Sequence, residues 1–243
     1  MSEKHNLALA AAIITIGLLL SVLMLNSTWR SQISTSQTIN VTGSAKKEIV
    51  SDFGILKGTL SAQAFTSAEA YRSLQRQKPI LLAFIKKEGF DPDKVKLSTI
   101  SQYPIYEYNS SGIQTNNVLS YVYNQRIEIE SQDVKKIEKL SLDISSIIEQ
   151  GVNFAVDMPE YHYSKMAQLK IEIQAEAAKD ALIRAQKIAE ATDGNIGSMR
   201  SARMGILQIT PKHSNMVSDY GINDLSSIEK EITAVVNASF EIK

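Results

Sequence analysis

The chain contains no cysteine, which excludes disulfides, thiol catalysis and thiolate metal sites. Histidine is nearly as scarce, with only His5, His162 and His213, and no two of them stand at metal-ligand spacing. A charge of one sign is also missing. Lys plus Arg and Asp plus Glu balance at 26 each, and setting aside Lys4, Arg30 and Glu3 leaves the remainder near −1. A nucleic-acid binder needs a concentrated basic surface, so that class is excluded. Proline and glycine are too few, and the net charge too small, for a disordered chain.

One long hydrophobic run is present. Residues 7–25, LALAAAIITIGLLLSVLML, carry neither charge nor proline. At about 1.5 Å rise per residue such a run makes a helix of roughly 28 Å, close to the hydrocarbon thickness of a bilayer. The run leaves through LMLNST without the small-residue pattern that signal peptidase requires, so it reads as a retained signal anchor. Leu7, Ile13, Ile14, Leu18, Leu20 and Leu25 are its lipid-facing candidates, and Trp29 stands where an interfacial aromatic would. The expected organisation is a cytoplasmic N-terminus (1–6), a transmembrane anchor (7–25), a polar Ser- and Thr-rich linker (26–38) and a folded region (39–243). Cleavage and release of the folded region is the alternative.

Within the folded region, Ile39 and Val41 open a first strand ending at Gly43, and a second is expected from about Asp52 to Phe65 beyond the charged AKKE patch. Thr66 and Glu69 have the spacing of a capping box ahead of a helix that stops at Gly89. Pro79 inside that pattern predicts a kink or a restart. Two extended runs, 95–108 and 119–130, predict a long hairpin with Pro104 at an edge or bulge. In the second run Leu119, Tyr121, Tyr123, Ile127 and Ile129 share a face. Ser131 is the expected cap of the next helix, whose Val134, Ile137, Leu140 or Ile144, Ile147 and Ile148 recur at helical spacing before Gly151. After a short extended stretch, the longest helix spans about 165–192, with Ala177, Ala181, Ala185 and Ala189 forming a smooth ridge for close backbone approach. Strands are expected over 196–210 and 231–242. The polar connection between them, 211–229, is too long for an ordinary hairpin loop, so it is mobile or held by something.

Chemistry requires convergent groups, and few converge in the sequence. Ser214 follows His213 directly, but adjacency does not make a nucleophile and base pair, and no G-x-S-x-G occurs. Asp219, Asn223, Asp224 and Glu229 could offer oxygens to a hard cation, but they do not match a calcium loop. No catalytic, cofactor-binding or metal residue is assigned, and no cofactor is expected. Pro211, Val217, Tyr220, Ile222 and Leu225 are candidates for packing against a neighbouring subunit. Tyr103, Tyr106, Tyr108, Tyr121 and Tyr123 are expected as cross-strand aromatic pairs, or alternatively as a groove or contact surface.

The motifs INVTGSA, GTLSAQAFTSAEA, GVNF and AEAAKDALIRAQKIAEATDGNIGSM occur in an order that resembles the SIMPL-domain (YggE-like) family of exported bacterial proteins. The closing QITP and SDYGINDLSSIEKEITAVVNASFEI resemble a subgroup of it. The resemblance implies an α+β fold with helices packed on antiparallel sheet, an envelope or secreted location, and assembly into large rings in some members. It also implies an association with stress tolerance, and it supplies no catalytic set. The expected protein is therefore a non-enzymatic assembly that partners itself and the membrane, and an envelope protein is a further candidate partner. The alternatives are a periplasmic ligand-, cation- or partner-binding module and, ranked below it, a hydrolase.

Overall fold

The computed structural model describes residues 15–22, 24, 26 and 37–242. Residues 15–22, 24 and 26 are helical, and Leu18 and Leu20 are exposed there. Among the described residues no helix is long and apolar enough to cross a membrane. Leu7, Ile13, Ile14, Leu25 and Trp29 of the expected anchor lie outside the described residues, as do 1–6 and most of the linker. Residues 37–242 fold into two compact units, 37–46, 170–207 and 233–242 in one and 47–169 and 208–232 in the other. Strands β1 (Thr38–Val50) and β11 (Glu229–Ile242) supply residues to both.

In the first unit β1 is hydrogen-bonded to β11, and β8 (Ile196–Met204) pairs antiparallel to β11 with Val236 opposite Met204 and Ala238 opposite Ala202. Alternation along β11 sends Ala234, Val236, Ala238 and Phe240 into the core. The helix α3 (Met166–Glu190) contributes its residues from Lys170 onward, and Ile173, Ala177, Ala181 and Ala185 are wholly buried. The alanine ridge does bring two backbones together. A Cβ built on Gly43 would stand 2.3 Å from both the Ala177 carbonyl oxygen and the Ala181 nitrogen. Beside this contact the Ser44 amide donates to Asp180 Oδ2 at 2.8 Å.

The second unit is built around β2 (Phe53–Ala64), which pairs antiparallel with β5 (Gln114–Ser131) in an unbroken register from Gly54 opposite Ser131 to Ala64 opposite Tyr121. Strands β3 (Lys96–Leu97) and β4 (Ser101–Tyr108) flank β5, while β6 (Phe154–Val156) and β7 (Glu160–His162) flank β2. Helix α1 (Ser67–Lys87), helix α2 (Val134–Asp143) and the 3-10 segment Ile144–Gln150 bury Leu74, Leu81, Ile85, Ile137, Leu140 and Ile144 against Leu56, Leu60 and Ile127 of the sheet. Gln77 is a buried polar tie within this core: its Nε2 donates to the Ser61 carbonyl and its Oε1 accepts from the Asn153 amide. Strands β9 (Gln208–Pro211) and β10 (Ile222–Asn223) run parallel to each other in the same unit.

Several local expectations hold. Thr66 caps α1 and bonds the side chain and amide of Glu69, and Gly89 ends the helix at φ 84°. Pro104 lies in β4, which among the described residues pairs with β5 alone and is therefore an edge. Others are corrected. Strand β1 runs through the AKKE patch instead of ending at Gly43, because the charged side chains stand on its exposed positions. The helix α1 does not restart at Pro79; this residue is exposed, where the Gln75 carbonyl left without a donor can turn to water. The cap of α2 is Asp133, whose carboxylate accepts from the Lys136 amide, while Ser131 Oγ accepts from the Asp133 amide. Ile148 is exposed because the helix tightens to 3-10 form after Asp143, and three residues per turn rotate it off the apolar face. In β5 the expected face holds at Ile127 and Ile129, but Leu119 is exposed and Val122 buried. The single strand expected over 196–210 is two, β8 and β9, parted at 205–207.

Candidate functional site

The 211–229 connection is held, and its fastenings can be followed along the chain. Lys212 pairs with Glu48 at 2.9 Å, which holds that carboxyl below its ordinary range. Gln208 Nε2 donates to the Ser218 carbonyl at 2.7 Å, Gly221 turns the chain at φ 85°, and the Asp224 amide donates to the Ile209 carbonyl. Asp224 Oδ1 then accepts from the amide and hydroxyl of Ser226. The last fastening is Lys230, a strand residue only 2% exposed. Its Nζ donates to the Tyr161 carbonyl at 2.6 Å and the Asp224 carbonyl at 2.5 Å. Burial pushes its pKa down, opposed by the Asp224 carboxylate.

This pinned connection displays apolar side chains to solvent. Val217 is 81% exposed and Tyr220 97%, with Met216 beside them at 67%. Pro211, Ile222 and Leu225 are half-buried, so of the five expected interface residues two project fully and three brace the loop. Met216 and Lys230 were not legible as members of this site; only the contrast of apolar residues within a polar stretch signalled it.

The tyrosine cluster is arranged differently from the expected cross-strand pairs. Tyr103 faces Val122, Tyr121 faces Pro104, Tyr123 faces Gln102, Tyr106 faces Val118 and Tyr108 faces Gln114. This register puts Tyr103 on the face opposite to Tyr121 and Tyr123, and shifts after Ile105 and Tyr106 alter the pairing beyond. Tyr123 instead meets Tyr71 of α1 edge-on at 5.8 Å, and its hydroxyl shares a hydrogen bond with Ser67. Tyr103 and Tyr108 are left exposed on the edge strand.

Titratable groups are occupied with structure. Glu160 accepts from Lys57 at 2.7 Å, which lowers its pKa, and stands 3.4 Å from His162 Nε2. His213 adopts a left-handed turn conformation, φ 63°. Among the described residues no three His, Asp or Glu side chains are grouped to hold a metal ion. Asp52 accepts from the amide of Ser164 at 2.7 Å and its hydroxyl at 2.6 Å. Burial pushes this carboxyl up, but the Ser164 hydrogen bonds outweigh it and hold the pKa below the ordinary value. The folded carboxyl thus binds its proton less tightly than the unfolded one. Its stabilising contribution is complete above about pH 4 and is lost as pH falls through the lower folded value. Urea unfolding should therefore show a stability gap between the wild type and Asp52→Asn that narrows on acidification from pH 7 to pH 3. A gap indifferent to pH would refute this role.

A second surface was not foreseen. On the outward face of the first unit, a depression of about 490 Å³ is lined by Asn40 and Thr42 of β1, Asn237 and Ser239 of β11, and Ser201 and Arg203 of β8. Period-two alternation places each pair on one face, and the β8–β11 register sets Arg203 opposite Asn237 and Ser201 opposite Ser239. Thr42 Oγ1 donates to Asn237 Oδ1 at 2.7 Å.

Helices packed on largely antiparallel sheet define an α+β protein. Residues 39–240 match the family model described as SIMPL, protein of unknown function (DUF541), and the chain belongs to that family. It is similar to the uncharacterized protein YggE of Edwardsiella ictaluri (strain 93-146), at 22% identity over 173 residues, covering 70% of this chain and 69% of that protein. Among solved structures, the de novo designed protein Foldit4 is matched over 42% of this chain and 93% of its own, at 15% identity and a TM-score of 0.23, too slight a likeness to bear on fold or function.

Proposed function

We propose that this chain is a non-enzymatic envelope protein, anchored in the bacterial inner membrane by residues 7–25, whose periplasmic domain self-assembles into a ring or cage through the 211–229 connection. A cleaved, released periplasmic form is the alternative placement, and a link to envelope stress tolerance belongs to the same reading. The observation that carries it is the display of Met216, Val217 and Tyr220 on a loop fastened by hydrogen bonds at Ser218, Asp224 and Lys230. A pinned apolar surface loses little entropy on docking, and tyrosine adds area with a polar tip. Anchoring raises the effective concentration of neighbours, so weak lateral contacts suffice.

The test is the detergent-corrected mass of the full-length protein by light scattering, beside the double variant Val217→Asp/Tyr220→Asp. The wild type is expected as a large uniform assembly and the variant as smaller species with unchanged circular dichroism, since both side chains are exposed. A monomeric wild type, or an unchanged mass in the variant, overturns the proposal.

A further inference from the structure

The polar depression on β1, β11 and β8 has no part in the assembly proposed above, and its chemistry is of a different kind. We infer that it is a binding site for an acidic saccharide, with Arg203 receiving the carboxylate of a uronic acid and the amides and hydroxyls around it receiving the sugar hydroxyls. Three observations carry this.

The first is a cation without a carboxylate partner among the described residues. Arg200, three residues earlier on β8, is paired with Glu241 at 3.0 Å, whereas Arg203 meets no carboxylate among the described residues. A guanidinium is a planar fork that matches a carboxylate with two parallel hydrogen bonds. The second is the character of its neighbours. Asn40, Thr42, Ser201, Asn237 and Ser239 each carry both donor and acceptor capacity, as sugar hydroxyls do. The Asn237 amide is already oriented: its Oδ1 accepts from Thr42, which turns its NH2 group outward as a donor.

The third is the spacing. The groups stand on three adjacent strands and at alternate residues, a grid about 10 Å across the strands and about 7 Å along them. Taken together, the groups span more than one small anion such as phosphate can touch. They suit a flat ligand with hydroxyls along its length and a negative charge at one end. The floor of the grid is the backbone at Val41 and Ala238, whose side chains are buried on the opposite face, and among the described residues no aromatic side chain lines it for sugar stacking. A single site is therefore weak, and many sites on a repeating glycan gain by avidity.

Isothermal titration of the full-length protein in mild detergent tests this with trigalacturonate and a glucuronate-containing tetrasaccharide as acidic probes and maltotriose as the neutral one. At least one acidic probe is expected to bind at least tenfold more tightly than maltotriose, and Arg203→Gln is expected to weaken that binding at least tenfold while leaving the melting temperature unchanged. Thr42→Val, which frees the Asn237 amide to turn, is expected to weaken it several-fold. Absence of binding by both acidic probes overturns the inference, as does binding indifferent to Arg203→Gln. Displacement by inorganic phosphate at concentrations equal to the saccharide's overturns it in favour of a simple anion site.

Discussion

Gly43→Val is expected to lower the stability of the protein by about 3 kcal/mol or more, at the upper end of what overpacking costs. The reason is what surrounds the missing Cβ. It would meet the Ala177 carbonyl oxygen and the Ala181 nitrogen at 2.3 Å and the Ala181 Cα at 2.7 Å, all of them backbone. No side chain can rotate to relieve the collision. The helix α3 would have to lift from β1, opening space along Ala177, Ala181 and Ala185 and straining the Ser44 to Asp180 bond. At Gly58 the nearest obstruction is the Phe154 ring tip, which can move in part. Urea denaturation followed by circular dichroism gives the measurement. A Gly43→Val protein within about 0.5 kcal/mol of the wild type, the range of ordinary surface changes, would show that the contact is not tight.

Lys230→Met is the second large effect, expected at about 3–5 kcal/mol by analogy with removal of one partner from a buried pair. Methionine nearly reproduces the length of lysine but donates no hydrogen bond. The carbonyls of Tyr161 and Asp224 would both lose their partner in a closed site. The Asp224 carboxylate would also lose a nearby positive charge; burial raises its pKa, while Ser226 and that charge together hold it below the ordinary value. Because the Leu225 carbonyl is bonded to the Tyr161 amide next door, the loss should spread along the connection. Besides the lower stability, proteolytic cleavage within 211–229 should accelerate, and the assembly mass should fall as Val217 and Tyr220 lose their support. A variant as stable and as resistant as the wild type would show that Lys230 does not fasten the loop.

The features legible in the sequence were those whose cause is local or periodic. The Thr66 and Glu69 cap needs only residues three apart, and Gly89 supplies the left-handed turn that ends the same helix. Pro104 could be placed at an edge because proline lacks the donor that an inner strand requires. The cap of α2 was misplaced by two residues because Ser131 and Asp133 are both competent acceptors, and the geometry at the start of the helix decides between them. Charge misled at both ends of the fold. The AKKE patch reads as a break although it stands on exposed positions of β1, and Lys230, between the expected connection and the expected last strand, carries no sequence signal of the burial it has.

Sequence alone determined the alternating face of β11 and the alanine ridge of α3, because burial of a 2-residue or a 3.6-residue period is dictated along the chain itself, while the α+β class followed from the family resemblance. It also set the family, through the order of its motifs. Tertiary structure alone decided which polar groups meet. Thr42 and Asn237 touch across 195 positions of chain, and Lys230 finds its acceptors at Tyr161 and Asp224. Such contacts depend on which strands become neighbours and in what register, and no local spacing encodes that.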